Sequence, residues 1–262
     1  MHIYTVGCSF TYAQERGWPK LLVDKISAEH SIETKLHNHG HPGAGNTYIA
    51  NKPILDSHLL LKDQQPGYRP SFNPDLVIIM WSGLTRKDLA VDHSDKVLMN
   101  TLDGYGFVRW AGRHTSYILS GGINGSWEHH PATKEMFNPL YKYSNERSMV
   151  QDTLLNILSL QNYLKECKIP YLMSSYVNYW TAEPRVADLD YGIAQFKDLD
   201  YLVKQIDFDR WMFLNERKDG IYELAKEIGD LQEDNFHPDF KTHALWADLI
   251  YKKLESENFF NN

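Results

Sequence analysis

Apolar residues along this chain gather in two patterns, short continuous blocks and longer stretches of helical spacing. The segments at 2–7, 76–81 and 171–175 read as strands, and 76–81 (Leu-Val-Ile-Ile-Met-Trp) is the clearest, the one that is apolar at every position as in a parallel sheet covered on both faces. A shorter strand is expected at 33–38, running into a glycine-rich loop at 39–46. Helical spacing covers 18–26, 47–62 (with Pro53 as a possible kink), 147–168, 192–205 and 220–228. The last helix is expected to start at Pro238 and to bury Phe240, Ala244, Ala247, Ile250 and Leu254 along one face.

Strands alternating with helices imply an α/β architecture, a mostly parallel sheet with helices on both sides. The alternation fails between residues 88 and 146. That stretch is rich in Gly, His and aromatics, with a hairpin-like passage around Asp103-Gly104-Tyr105-Gly106. It reads as an insertion or cap at the sheet edge within a single domain spanning 1–262. No internal repeat or low-complexity tract is present.

At 262 residues the chain can form one large domain, and its composition is that of an ordinary globular protein. A formal charge of −7 disfavours nucleic acid and anionic membranes as partners, since both attract basic surfaces. No run of apolar residues is long enough to span a bilayer. A strand starting almost at the first residue leaves no space for a leader peptide, and the two cysteines, Cys8 and Cys167, have neither metal nor redox spacing. The expectation is a cytoplasmic protein. The 16 Tyr and 7 Trp suit stacking on sugar rings as well as a filled core.

Three constellations carry chemistry. Gly7-Cys8-Ser9-Phe10-Thr11 follows the first strand directly, and a serine on a tight strand-to-helix turn exposes its Oγ beside backbone N–H groups able to face an oxyanion. The same five residues would also serve as a plain turn with a capping serine. Asp234-Asn235-Phe236-His237-Pro238 precedes the last helix. An Asp three residues before a His can hold its Nδ1 and leave Nε2 free to accept a proton. The third is the loop Asn38-His39-Gly40-His41-Pro42-Gly43-Ala44-Gly45-Asn46, whose glycines let backbone amides approach a reacting carbonyl. His37, His39 and His41 alternate as metal ligands can, but no carboxylate or Cys stands at a supporting spacing. Cys8 is a rival nucleophile that the pleat of the strand turns away from the side Ser9 faces.

The order of these blocks resembles that of the SGNH hydrolases, the GDSL-like esterase and lipase superfamily. Gly7-Cys8-Ser9 is similar to the family's Gly-Asp-Ser block with Cys8 in place of Asp, Asn38 to Gly43 to its Asn-x-x-x-x-Gly block, and Asp234 with His237 to its final Asp-x-x-His. The resemblance implies a three-layer α/β/α sandwich of flavodoxin type around a five-stranded, mainly parallel sheet. It implies Ser9 as nucleophile, His237 as general base and Asp234 as its orienting partner. The oxyanion would be held by the N–H groups of Ser9 and Gly43, with Gly45 as the alternative to Gly43. The third block, usually Gly-x-Asn-Asp, falls at Trp81-Ser82-Gly83-Leu84-Thr85-Arg86 and has no Asn. Ser82, Thr85 or Asn178 would then supply the third oxyanion donor. A Trp-Ser-x-x-x-Arg block is similar to a subgroup of SGNH-like sequences from phages and from bacterial surface-sugar gene clusters.

The expected function is a serine esterase removing short acyl groups, acetyl above all, from a carbohydrate, with no metal or cofactor. An acyltransferase on the same scaffold and a non-catalytic carbohydrate-binding module are the rival readings, the latter favoured by the missing Asn. Substrate contacts are expected from Arg86 and Asn178 and from the insertion, where Tyr105, Trp110, Tyr117 and Trp127 could stack on sugar faces and Arg109, Arg113 and His129 could bind hydroxyls or a carboxylate. The oligomeric state is open.

Overall fold

The computed structural model describes residues 1–12, 15–62, 74–92, 108–110, 115–121, 131–181, 192–232 and 237–261, with backbone alone for 57–62, 108–110 and 261. The described strands are β1 (His2–Gly7), β2 (Lys35–Gly40), β3 (Leu76–Trp81), β4 (Asp88–Asp92), β5 (Val108–Trp110), β6 (Thr115–Leu119) and β7 (Tyr171–Ser175). The described α-helices are α1 (Ser9–Tyr12), α2 (Trp18–His30), α3 (Asn46–Lys62), α4 (Pro131–Tyr143), α5 (Glu146–Glu166), α6 (Asp200–Val203), α7 (Ile221–Ile228) and α8 (Phe240–Ser256).

Four strands form a parallel sheet in the order β2-β1-β3-β7. The chain moves outward from β1 to β2 and then crosses back to β3. Right-handed crossovers therefore put α2 and α3 on opposite faces. Accordingly α2 packs with α8, and α3 packs with α5. Trp18 on α2, Trp246 on α8 and Trp81 at the end of β3 are wholly buried in the resulting core.

Where five parallel strands were expected, the fifth position is a single parallel bridge, Met173 to Trp211, with Met212 N–H donating to the Met173 carbonyl at 2.8 Å. Trp211 and Met212 are both buried. The element thus fills the edge of the core without extending as a strand. The helix expected over 192–205 is broken into 3₁₀ turns (Ile193–Gln195 and Lys197–Leu199) ahead of the short α6. The last helix begins at Phe240 rather than Pro238, because Asp239 is its N-cap and accepts the Phe240 N–H at 2.8 Å. β2 starts two residues later than expected, in register with β1 through His2 opposite Lys35.

Within 88–146, β4, β6 and β5 form a small antiparallel sheet. Its β6 alternates: Tyr117 and Leu119 join the main core, whereas Ile118 packs with Phe137 of α4 in a satellite cluster. The hairpin expected around Asp103–Gly106 lies outside the described residues.

Candidate active site

The parallel sheet places three loops at one edge, the carboxyl ends of adjacent strands, where open α/β sheets bind ligands. β1 ends at Gly7, and Ser9 opens α1 one residue after the buried Cys8. Thr11 and Tyr12 donate their N–H groups to the Cys8 carbonyl at 2.9 and 3.2 Å, which winds the turn tightly. Two glycines make room for it. A Cβ at Gly7 would stand 2.2 Å from Thr11 Oγ1, and one at Gly40 would stand 2.6 Å from the Thr11 carbonyl carbon. Cys8 is fully buried among apolar side chains, which removes it as a nucleophile facing the crevice.

His237 reaches the same edge from the other end of the chain. The loop that carries it is closed by an antiparallel bridge between Leu231 and Pro238 and by Gln232 N–H on the His237 carbonyl at 2.8 Å. Asp230 steadies the base of this loop by accepting both the N–H and the hydroxyl of Thr242 at 2.7 Å. The imidazole stacks on Phe10, ring centroids 4.9 Å apart, and its Nε2 lies 2.7 Å from Ser9 Oγ. Serine hydroxyl and imidazole are thus in hydrogen-bond contact, and Ser9 is only partly buried. Asp234 lies outside the described residues.

The loop after β2 is anchored by Asn38. Its Oδ1 accepts the Gly40 N–H at 2.8 Å and the Thr5 hydroxyl at 3.1 Å, and its Nδ2 donates to the Thr11 carbonyl at 2.9 Å. Asn38 therefore ties the loop to the Ser9 turn, as does His41 N–H on the Gly7 carbonyl at 2.9 Å. Gly43 has φ +79°, a left-handed conformation that glycine adopts without strain. Among the described residues nothing accepts from the N–H of Ser9 or of Gly43. The Gly45 N–H is bound to Asp88 Oδ1 at 2.9 Å, which withdraws it as an oxyanion donor and leaves Gly43.

The third donor is less open than the sequence suggests. Asn178 uses both amide hydrogens elsewhere, on the Arg217 carbonyl at 2.7 Å and Asp219 Oδ1 at 3.1 Å, so it has none for an oxyanion or a substrate. Ser82 and Thr85 are wholly buried, and neither hydroxyl has a hydrogen-bond partner among the described residues. Their segment is positioned by Asn46, which the sequence reading passed over. Its Oδ1 accepts the Ser82 N–H at 2.8 Å and its Nδ2 reaches the Ser82 carbonyl at 3.3 Å. An Asn directly after a glycine loop was the available signal. Arg86 stands over the Tyr176 ring at 5.8 Å, and Tyr176 in turn packs on Phe10, which links the guanidinium to the Ser9 turn through two buried rings.

Of the insertion's aromatics, Tyr117 is buried against Tyr48 and is not available to a sugar. Arg109 and Trp110 are described by backbone alone, and Tyr105, Arg113, Trp127 and His129 lie outside the described residues. The alternating histidines go to different neighbours: His37 stacks with His2, His39 with Tyr4, and His41 packs against Tyr12. Among the described residues no three His, Cys, Asp or Glu side chains form a metal-holding group, and no helix is long and apolar enough to cross a membrane.

No family model and no curated protein sequence matches the chain. Solved structures do. An acetyl-xylooligosaccharide esterase, Axe2 from Geobacillus stearothermophilus, is 14% identical with a TM-score of 0.50, over 97% of this chain and 93% of that one. The esterase EstA from Pseudoalteromonas sp. is 17% identical with a TM-score of 0.48, over 100% of this chain and 99% of that one. The parallel sheet between paired helix layers, matched over almost the whole chain, gives this protein the fold of the SGNH hydrolases.

Proposed function

We propose that this protein is a serine esterase that hydrolyses short acyl esters, acetyl esters of carbohydrates being the substrate class. The observation that carries the reading is the 2.7 Å contact between Ser9 Oγ and His237 Nε2 at the carboxyl edge of the sheet. In that arrangement His237 takes the Oγ proton as Ser9 attacks the ester carbonyl, and the oxyanion is met by the N–H groups of Ser9 and Gly43. His237 then protonates the departing alcohol. Water, deprotonated by the same imidazole, attacks the acyl-enzyme and frees the acid. Asp234, three residues before His237, is assigned the Nδ1 side of the ring.

The hydroxyls of Ser82 and Thr85 are the candidates for a third oxyanion donor. Both are buried and have no hydrogen-bond partner among the described residues, a state that costs roughly 1–3 kcal/mol per group. Arg86 is assigned to substrate binding, together with Trp110 and Trp127 of the insertion, which supplies one wall of the crevice. The carbohydrate assignment rests on the insertion's aromatics and on the resemblance to esterases of that fold.

Acetate release from a short aryl acetate and from an acetylated oligosaccharide, by wild type and by Ser9→Ala, tests the proposal. Wild type should release acetate from both and the variant from neither. Adding a free sugar acceptor and analysing products separates hydrolysis from acyl transfer.

A further inference from the structure

The loop that bears Gly43 is held at three successive residues by the two ends of the small antiparallel sheet, the segment entering β4 and the residue just past β6. The Gly43 carbonyl accepts the Gly121 N–H at 3.1 Å, the Ala44 carbonyl lies 3.5 Å from Arg86 Nη1, and the Gly45 N–H donates to Asp88 Oδ1 at 2.9 Å. The other carboxylate oxygen of Asp88 takes the Tyr48 N–H at 2.8 Å. Asp88 is buried, and it is fixed in turn as the first residue of β4, opposite Leu119 of β6. Its neighbour Lys87 is pinned from both sides, donating its N–H to Ser120 Oγ at 3.0 Å and accepting the Ser120 N–H at 3.1 Å. The fit leaves no slack, since a Cβ on Gly45 would stand 2.8 Å from Asp88 Oδ2 and 2.9 Å from the Arg86 carbonyl.

A helix such as α3 can be capped by a local Ser, Thr, Asn or Asp. Here the cap comes from 43 residues downstream and grips the glycine loop as well as the helix. Each oxygen accepts from an N–H donor, a pattern that a carboxyl group meets with two oxygens and that an amide can satisfy only by half. We propose that Asp88 is a positioning residue, holding the backbone of Gly43–Gly45 so that the Gly43 N–H stays directed at the substrate carbonyl on Ser9. The small antiparallel sheet thereby becomes the buttress of the oxyanion loop. The proposal rests on the ester-hydrolase reading for its catalytic consequence, but the clamp itself can be measured without it.

The experiment compares wild type with Asp88→Asn and Asp88→Glu by amide hydrogen exchange over residues 41–48 and by kcat and KM on a short aryl acetate. Asp88→Asn should speed exchange of the Gly45 and Tyr48 amides at least about tenfold, with amides of β1 and β3 unchanged. It should also lower kcat by about 10–100-fold with KM within about twofold, since a donor acting in the transition state is displaced. Asp88→Glu, which keeps both oxygens but places them one methylene further out, should fall between the two. Unchanged exchange in the loop overturns the clamp whatever the activity. Faster exchange with unchanged kcat reduces Asp88 to a helix cap and overturns the positioning role. A wild type that exchanges as expected but hydrolyses no ester upholds the clamp and refutes the esterase reading instead.

Discussion

His237 Nε2 and Ser9 Oγ, 228 residues apart in the chain, lie 2.7 Å from each other at the carboxyl edge of the parallel sheet. Neither residue is placed by its own neighbours alone. Ser9 is set by the Gly7–Thr11 contact and by Asn38, while His237 is set by the Leu231–Pro238 bridge and by the Phe10 ring beneath it. Phe10 immediately follows Ser9, so the turn that exposes the hydroxyl also supplies the surface on which its partner rests.

Gly40 is the point where this arrangement has least tolerance. Gly40→Ala would put a methyl group 2.6 Å from the Thr11 carbonyl carbon and 2.7 Å from the Tyr12 N, both backbone atoms. The turn must then move away from β2. Ester hydrolysis should fall at least about tenfold, with a lower melting temperature, because overpacking of this kind costs about 1–3 kcal/mol. Steady-state kinetics with a thermal melt checks it, and full activity would show that the turn adapts without loss.

Asn46 should matter mainly for stability. It spends its amide on the Ser82 backbone and on Thr153 Oγ1 at 3.1 Å, all within the buried core. Asn46→Ala leaves the Ser82 N–H buried and unpaired, so a loss of about 2–4 kcal/mol is expected from urea unfolding. Loss of less than about 1 kcal/mol would mean that another group takes over the Ser82 N–H.

Buried His243 makes the fold sensitive to acid. Burial, the largest influence, and the nearby His237 lower its pKa from 6.5 to about 4, while Asp230 and Asp239 pull the other way. A folded value below the unfolded one means that this stability is present above pH 6.5 and is lost as pH falls towards about 4. His243→Gln should flatten the stability profile in that window relative to wild type. Parallel profiles for the two proteins would contradict the assignment.

Asp88 acts with the opposite sign. Burial raises its pKa from 3.8 to about 7, against the lowering effects of the Tyr48 and Gly45 N–H groups and of Arg86. Its contribution to stability is therefore full below pH 3.8 and is lost as pH rises through about 7. The melting temperature of wild type minus that of Asp88→Asn should fall as pH is raised across this range. A constant difference would place the Asp88 pKa near its ordinary value.

Most of the sheet could be read from the sequence because β3 is apolar throughout, while β1 and β7 are short runs bounded by the Gly7 turn and by the Ile169-Pro170 helix stop. The Ser9 turn and the His237 loop were legible for a related reason, since each is a short motif beside an element boundary. The edges were not. Trp211 fills the fifth strand position with one bridge, and β2 (Lys-Leu-His-Asn-His-Gly) has too few apolar residues to mark its start. Asn178 looked free to reach the oxyanion because nothing local reveals the Arg217 carbonyl and Asp219 that claim its amide. Asp88 looked like the first residue of an insertion, and its grip on Gly45 and Tyr48 exists only in three dimensions.

The central claim is that Ser9 is a nucleophile activated by His237, and covalent labelling tests it most directly. Wild type, Ser9→Ala and His237→Ala would be treated with a fluorophosphonate probe and digested for peptide mass spectrometry. The account predicts one adduct in wild type, on Ser9, with none in Ser9→Ala and labelling slowed at least about a hundredfold in His237→Ala. An adduct on another residue, or an unlabelled wild type whose fold is intact, would contradict it.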